Sequence, residues 1–104
     1  MGDEYRDVLA SDRLIHELAR LVITAILYGL ESADFLFLQR ETGLTKGNLS
    51  SHLTKLEDAG YVAIEKTFEG KTPRTICCLT DEGRAAFEAY RQNMQHIIAP
   101  NGNG

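Results

Sequence analysis

Between Lys46 and Lys55 the chain carries Lys46, Gly47, Asn48, Ser50, Ser51, His52, Thr54 and Lys55, interrupted by Leu49 and Leu53. Two kinds of chemistry are concentrated there. The lysines offer fixed positive charge to phosphate, while asparagine, serine and histidine offer short hydrogen-bonding groups of the kind that read base edges. Leu49, Leu53 and Leu56 recur at helical spacing, so the polar residues share the opposite arc of one helix, with Ser50 and His52 on its shoulders. Glycine, asparagine and serine are mediocre or poor helix formers. A face chosen only for solvation gains more from Glu, Lys, Gln and Ala, whereas a helix lying in the major groove needs short side chains that let its backbone come close. Lys46 and the free amides of the first turn suit a phosphate. Charge also reverses locally: residues 39 to 55 hold Arg40, Lys46 and Lys55 against Glu41 alone.

Other reactive residue types form no constellation. His16, His52 and His96 are far apart, and His16-Glu17 lacks the second histidine of a zinc-protease helix. No nucleophile elbow, phosphate-cradling glycine loop or carboxylate pair occurs, so an enzyme is the weakest class, with no cofactor and no metal expected. Cys77 and Cys78 are adjacent and leave opposite faces of an extended strand; free thiols are the first reading and a redox sensor the second.

With 104 residues, 43% hydrophobic and 25% charged, the chain describes one ordinary globular domain. A net charge of −4 opposes indiscriminate coating of nucleic acid, so a nucleic-acid role needs local positive patches. The apolar run Leu21–Tyr28 is far short of the roughly 20 residues that span a bilayer, and the start MGDEYRD lacks a signal peptide's basic flank. A cytoplasmic protein with no membrane partner is expected.

The elements that must position the polar arc follow from periodicity and caps. Residues 12 to 30 predict one helix with a stripe of Leu14, Leu18, Leu21 and Ala25 and a second of Ile15, Val22 and Ile26, widened by Ile23 and Leu27. Ser32 and Asp34 are candidate caps for a short helix to about Thr42, with Phe35, Leu38 and Phe37 inward. Gly43 breaks the chain, and Thr45 caps a third helix to Ala59, the layout of a helix-turn-helix. Residues 61 to 68 and 74 to 79 predict a two-stranded hairpin around a 69 to 73 loop bearing Lys71. Thr80 caps a last helix striped by Phe87, Tyr90, Met94 and Ile97. The fold class is α+β, mostly helical: a domain over 12–99, a flexible N-terminus over 1–11 and a disordered tail over 100–104.

From about Ile15 to Tyr90 the chain resembles the compact winged-helix transcriptional regulators related to the MarR and ArsR families. Phe35, 43-GLTKGNLSSHLTKLEDAGYV-62, Lys66, 73-PRT-75 and 79-LTDEGR-84 carry the resemblance. It implies a winged helix-turn-helix of three helices, a two-stranded wing and a C-terminal dimerisation helix, acting as a homodimer on double-stranded DNA. Lys46, Gly47, Asn48, Ser50, Ser51, His52 and Lys55 take the recognition-helix positions, and Lys71 and Arg74 the wing positions, on backbone or minor groove. The family's metal sensors keep cysteines or paired ligands on helices; here both cysteines lie on the second wing strand. Longer members often house a small-molecule effector under an arch of extra helices, and nothing in this shorter chain supports one.

Two apolar stripes exceed what one small domain covers by itself. Ile15, Val22 and Ile26 with Phe87, Tyr90, Met94 and Ile97 are the expected dimer interface, and a two-fold pair implies an inverted-repeat operator. The competing reading is a winged-helix adaptor contacting proteins without DNA. Such an adaptor more often exposes aromatic or apolar anchors on its third helix, and here that arc is small and polar. An RNA role would want an aromatic stacking platform, and none is evident.

Overall fold

The computed structural model describes residues 13–98; the expected flexible N-terminus and tail lie outside the described residues. The order is α1 (Arg13–His16), α2 (Leu18–Tyr28), β1 (Ala33–Asp34), α3 (Phe35–Thr42), α4 (Lys46–Asp58), β2 (Val62–Glu69), β3 (Thr72–Leu79) and α5 (Asp81–Ile98). No described helix is long and apolar enough to cross a membrane.

The helix expected over 12 to 30 is in fact broken. Glu17 turns extended (φ −58°, ψ 129°) between α1 and α2. At this break the Leu14 carbonyl accepts from Arg20 Nε at 2.5 Å. The break removes the common phase of the two stripes. Ile15 is fully buried, yet Leu18 is 71% exposed, and the inward face of α2 centres on Ile23, Thr24 and Leu27.

α3 and α4 are capped as their sequences require. Asp34 Oδ1 accepts from the Phe37 amide at 2.8 Å, and Thr45 Oγ1 from the Asn48 amide at 3.1 Å. Gly43 closes α3 in the left-handed region (φ 70°), where a side chain would be strained. Ser32, the other candidate cap, lies outside α3, and Asp34 takes that role alone.

The sheet has three strands, β1-β3-β2, all antiparallel, rather than two. β1 is only Ala33 and Asp34, opposite Cys77 and Ile76, too short for any alternation to announce it. β2 and β3 pair from Val62↔Leu79 out to Glu69↔Thr72 around a two-residue turn, Gly70-Lys71, tighter than the expected loop. Gly70 (φ 64°) supplies the conformation that such turns need first. Pro73 is tolerated within β3 because β1 ends at the level of Ile76, leaving the outer half of β3 without a second neighbour.

One core joins Ile23, Leu27, Leu38, Leu49, Leu53, Leu56, Val62, Cys77 and Leu79; a second joins Ile15 to Phe87 and Tyr90 of α5. Tyr28 links α2 to α5, its ring 5.0 Å from that of Phe87 and its hydroxyl donating to Glu88 at 2.5 Å. Thr80 fixes where α5 begins: its hydroxyl donates to the Gly60 carbonyl at 2.6 Å and accepts from the Gly83 amide at 3.0 Å. α5 therefore starts against the Tyr61 backbone, and a Cβ on Gly83 would collide with the Tyr61 carbonyl. Gly83→Ala is expected to destabilise the fold by about 1–3 kcal/mol, the usual cost of overpacking, read as a lower urea midpoint at unchanged slope.

Candidate nucleic-acid interface

Leu49, Leu53 and Leu56 bury one face of α4 and so fix which face is left outside. Lys46, Gly47, Asn48, Ser50, Ser51, Thr54 and Lys55 are all exposed, as one continuous arc. Gly47 is informative within it. A Cβ added there meets nothing within 4 Å, so no contact inside the chain requires glycine.

His52 departs from the expected reading role. It is half-buried, its Nδ1 lying 3.3 Å from Arg20 Nη1 and 3.6 Å from Glu17 Oε2. Its side chain thus faces the break between α1 and α2. Helix periodicity put His52 on a shoulder of the arc but could not show that Glu17 and Arg20 stand beneath that shoulder.

Arg74 departs as well. Its Nη2 donates to Asp34 Oδ2 at 2.6 Å and its Nη1 lies 3.1 Å from Glu69 Oε2. Asp34 is the residue that caps α3, so one carboxylate holds the helix start with one oxygen and the wing with the other. The Phe37 amide, and after it the Arg74 guanidinium, hold the Asp34 carboxyl below its ordinary value of 3.8 against the opposing pull of burial. Arg74, half-buried, is engaged by these two carboxylates, while Lys66 on β2 and Lys71 in the turn are the exposed wing cations.

Between α4 and the hairpin runs a groove of about 540 Å³, lined by Lys46, Ser50 and Thr54 on one wall and Ile64, Lys66 and Thr75 on the other, with Glu57 as its carboxylate. Lys66 begins the wing, 66–75, expected to reach the backbone or minor groove, and its place opposite α4 follows from strand register. Cys77 and Cys78 do leave opposite faces of β3. Burial pushes the Cys77 thiol up to about 11, away from the reactive thiolate, and Cys78 is half-buried.

Of the expected dimer residues, Ile15, Phe87 and Tyr90 pack on one another within a single chain, so their cover is intramolecular and they need no second copy. Ile26, Met94 and Ile97 are half-buried. Val22 is exposed and lines, with Leu18, Thr42 and Leu44, a hollow away from α5. The sequence stripes missed this division because the break at Glu17 shifts the faces of α2. Ile98, outside the expected set, is 76% exposed at the end of α5.

Residues 19–98 match the model of the winged helix DNA-binding domain family. An uncharacterised protein of Methanocaldococcus jannaschii is 40% identical over 78 residues, covering 75% of this chain and 85% of that one. A transcriptional regulator homologue from Pyrococcus horikoshii OT3 superposes with a TM-score of 0.87 at 27% identity, covering 96% and 98% of the two chains. A MarR-family regulator structure from Enterococcus faecalis V583 gives 0.70 at 25% identity, covering 85% and 81%.

Two outcomes follow from the side chains that turned inward. Because the folded Asp34 value is lowered, its stabilisation is complete above the ordinary value and is lost as pH falls through the folded one. Asp34→Asn keeps an equivalent cap but loses the charge pair with Arg74, so it should be less stable near neutrality by up to about 1 kcal/mol, with the gap to the parent narrowing in acid titrations of the urea midpoint. His52→Ala should lower the midpoint by about 1 kcal/mol while leaving the base preference of bound DNA as it was.

Proposed function

Since the chain belongs to the winged helix DNA-binding domain family, we propose that it is a transcriptional regulator that binds a specific double-stranded operator as a homodimer. α4 enters the major groove, with Asn48, Ser50 and Ser51 toward base edges and Lys46 and Lys55 toward phosphates. Lys71 reaches the backbone or the minor groove beside it. The observation that carries this reading is the exposed short arc of α4 with Gly47 at its start, a position where the fold makes no use of the missing side chain. A close external surface does make use of it.

The homodimer rests on what the monomer leaves uncovered on α5, from Met94 and Ile97 to the exposed Ile98. Two-fold pairing there gives two copies of α4, and a preferred site that is an inverted repeat with half-sites about 10 base pairs apart. The expected place of such a protein is the cytoplasm.

Selection of bound duplexes from a random pool tests the reading directly. An inverted repeat is expected. Replacing Lys46, Lys55 or Lys71 by alanine should weaken binding to all sequences and lower the salt slope by about one each, whereas alanine at Asn48 or Ser51 should change which base is preferred. Gly47→Ala should stabilise the fold by up to about 1 kcal/mol and yet weaken DNA binding. The double change Ile97→Asp with Ile98→Asp should give a folded monomer by light scattering. Absence of any enriched duplex would refute operator binding, and a parent protein that is monomeric when bound would refute the dimer.

A further inference from the structure

Alternate residues of the hairpin share a face, and on one face the cross-strand pairs run Val62 with Leu79, Ile64 with Cys77, Lys66 with Thr75, and Phe68 with Pro73. The first two pairs belong to the core, and the third lines the groove opposite α4. The fourth continues the same face beyond the body of the protein. There Phe68 is 69% exposed, the largest apolar side chain left in the open among the described residues. Glu69↔Thr72 closes the two-residue turn as a hydrogen-bonded pair, so Phe68 and Pro73 form the closer, non-hydrogen-bonded kind of pair. Pro73 is thus the cross-strand neighbour of the ring.

Charge identifies the partner. Lys66 lies two residues inward of Phe68 on the same face, and Lys71 sits in the turn beyond it. Neither ammonium has a carboxylate within ion-pairing distance among the described residues. Glu69, the acid adjacent in sequence, points to the other face and is taken up by Arg74 at 3.1 Å. An apolar ring between two exposed cations, with the nearby acid on the other face and paired to Arg74, complements an apolar slot bordered by anions. The minor groove of DNA, walled by phosphate backbones, is such a surface.

Resting on the DNA-binding reading above, we infer that Phe68 is a minor-groove wedge. As α4 occupies the major groove, Lys66 and Lys71 hold the flanking phosphates and the Phe68 ring presses between adjacent base pairs, partly unstacking that step and bending the duplex. Flexible pyrimidine–purine steps under the wing yield most easily, so the wing contributes sequence preference with no hydrogen bond to a base.

The test uses the full chain and a duplex enriched from the random pool, with 2-aminopurine placed in turn at each position outside the α4 contacts. The parent protein should raise the fluorescence at one step in each half-site, the sign of local unstacking. Phe68→Ala should abolish that rise and weaken binding at least about fivefold, the low end for a base–aromatic contact, with the salt slope unchanged. Lys71→Ala should reduce the slope while keeping the rise. Phe68→Leu, still apolar, should keep part of the signal. Phe68 is exposed, so all three variants should melt with the parent protein. A parent that binds but shows no fluorescent step, or a Phe68→Ala protein with parental affinity, overturns the wedge and leaves DNA binding standing. Phe68→Ala dissociating a DNA-free dimer overturns it too, by assigning the ring to a protein contact. Failure of the parent to bind any duplex removes both.

Discussion

Asp34 holds two parts of the molecule with its two carboxylate oxygens. One oxygen caps α3 and the other grips Arg74 on the wing, while the Asp34 backbone pairs with β3 opposite Ile76. α3 in turn sets the path of the chain through Gly43 into α4. The angle between recognition helix and wing therefore passes through one residue, whose side chain serves the helix start and Arg74 best when charged and whose backbone serves β3. A carboxylate with two hydrogen-bonded partners at 2.6 and 2.8 Å is better satisfied than in either contact alone, and burial on either side limits competition from water.

Such a constraint changes how the local charge is used. Arg74, one of the expected DNA-binding cations, is shared between the carboxylates of Asp34 and Glu69. The other wing cations, Lys66 and Lys71, form no ion pair among the described residues, in a chain whose net charge is −4. Long-range attraction to a polyanion is weak for such a molecule. Binding must be won at short range, through lysines placed at phosphates and an α4 face short enough to approach closely.

The other end of the fold is organised by the break at Glu17. It frees α1 to turn Ile15 onto Phe87 and Tyr90, giving α5 a core of its own, while Arg20 and Glu17 meet His52 on α4. The helix bearing the outward polar arc is thus seated on the same junction that seats α5. Packing at α5 and the attitude of α4 share a support, with Tyr28 as a second tie through Phe87 and Glu88.

Local chemistry by itself determined the helix-turn-helix, the hairpin and the last helix, the caps at Thr45 and Thr80, the leucine face of α4 and hence its polar arc. Each of these depends on residues within one turn or one strand of each other, and spacing along the chain reports them directly. Only tertiary structure decided the rest. β1 exists because β3 offers an edge to two residues that carry no pattern. His52 and Arg74 have intramolecular partners because Glu17, Arg20 and Asp34, 32 to 40 residues away in the chain, arrive beside them. Ile15, Phe87 and Tyr90 are covered within one chain because a backbone break rotated a stripe that periodicity had drawn as continuous. Phe68 is exposed because the hairpin outruns the core. A side chain's type states what it is able to bond to, but which partner it meets is set by distances that close only when the chain folds.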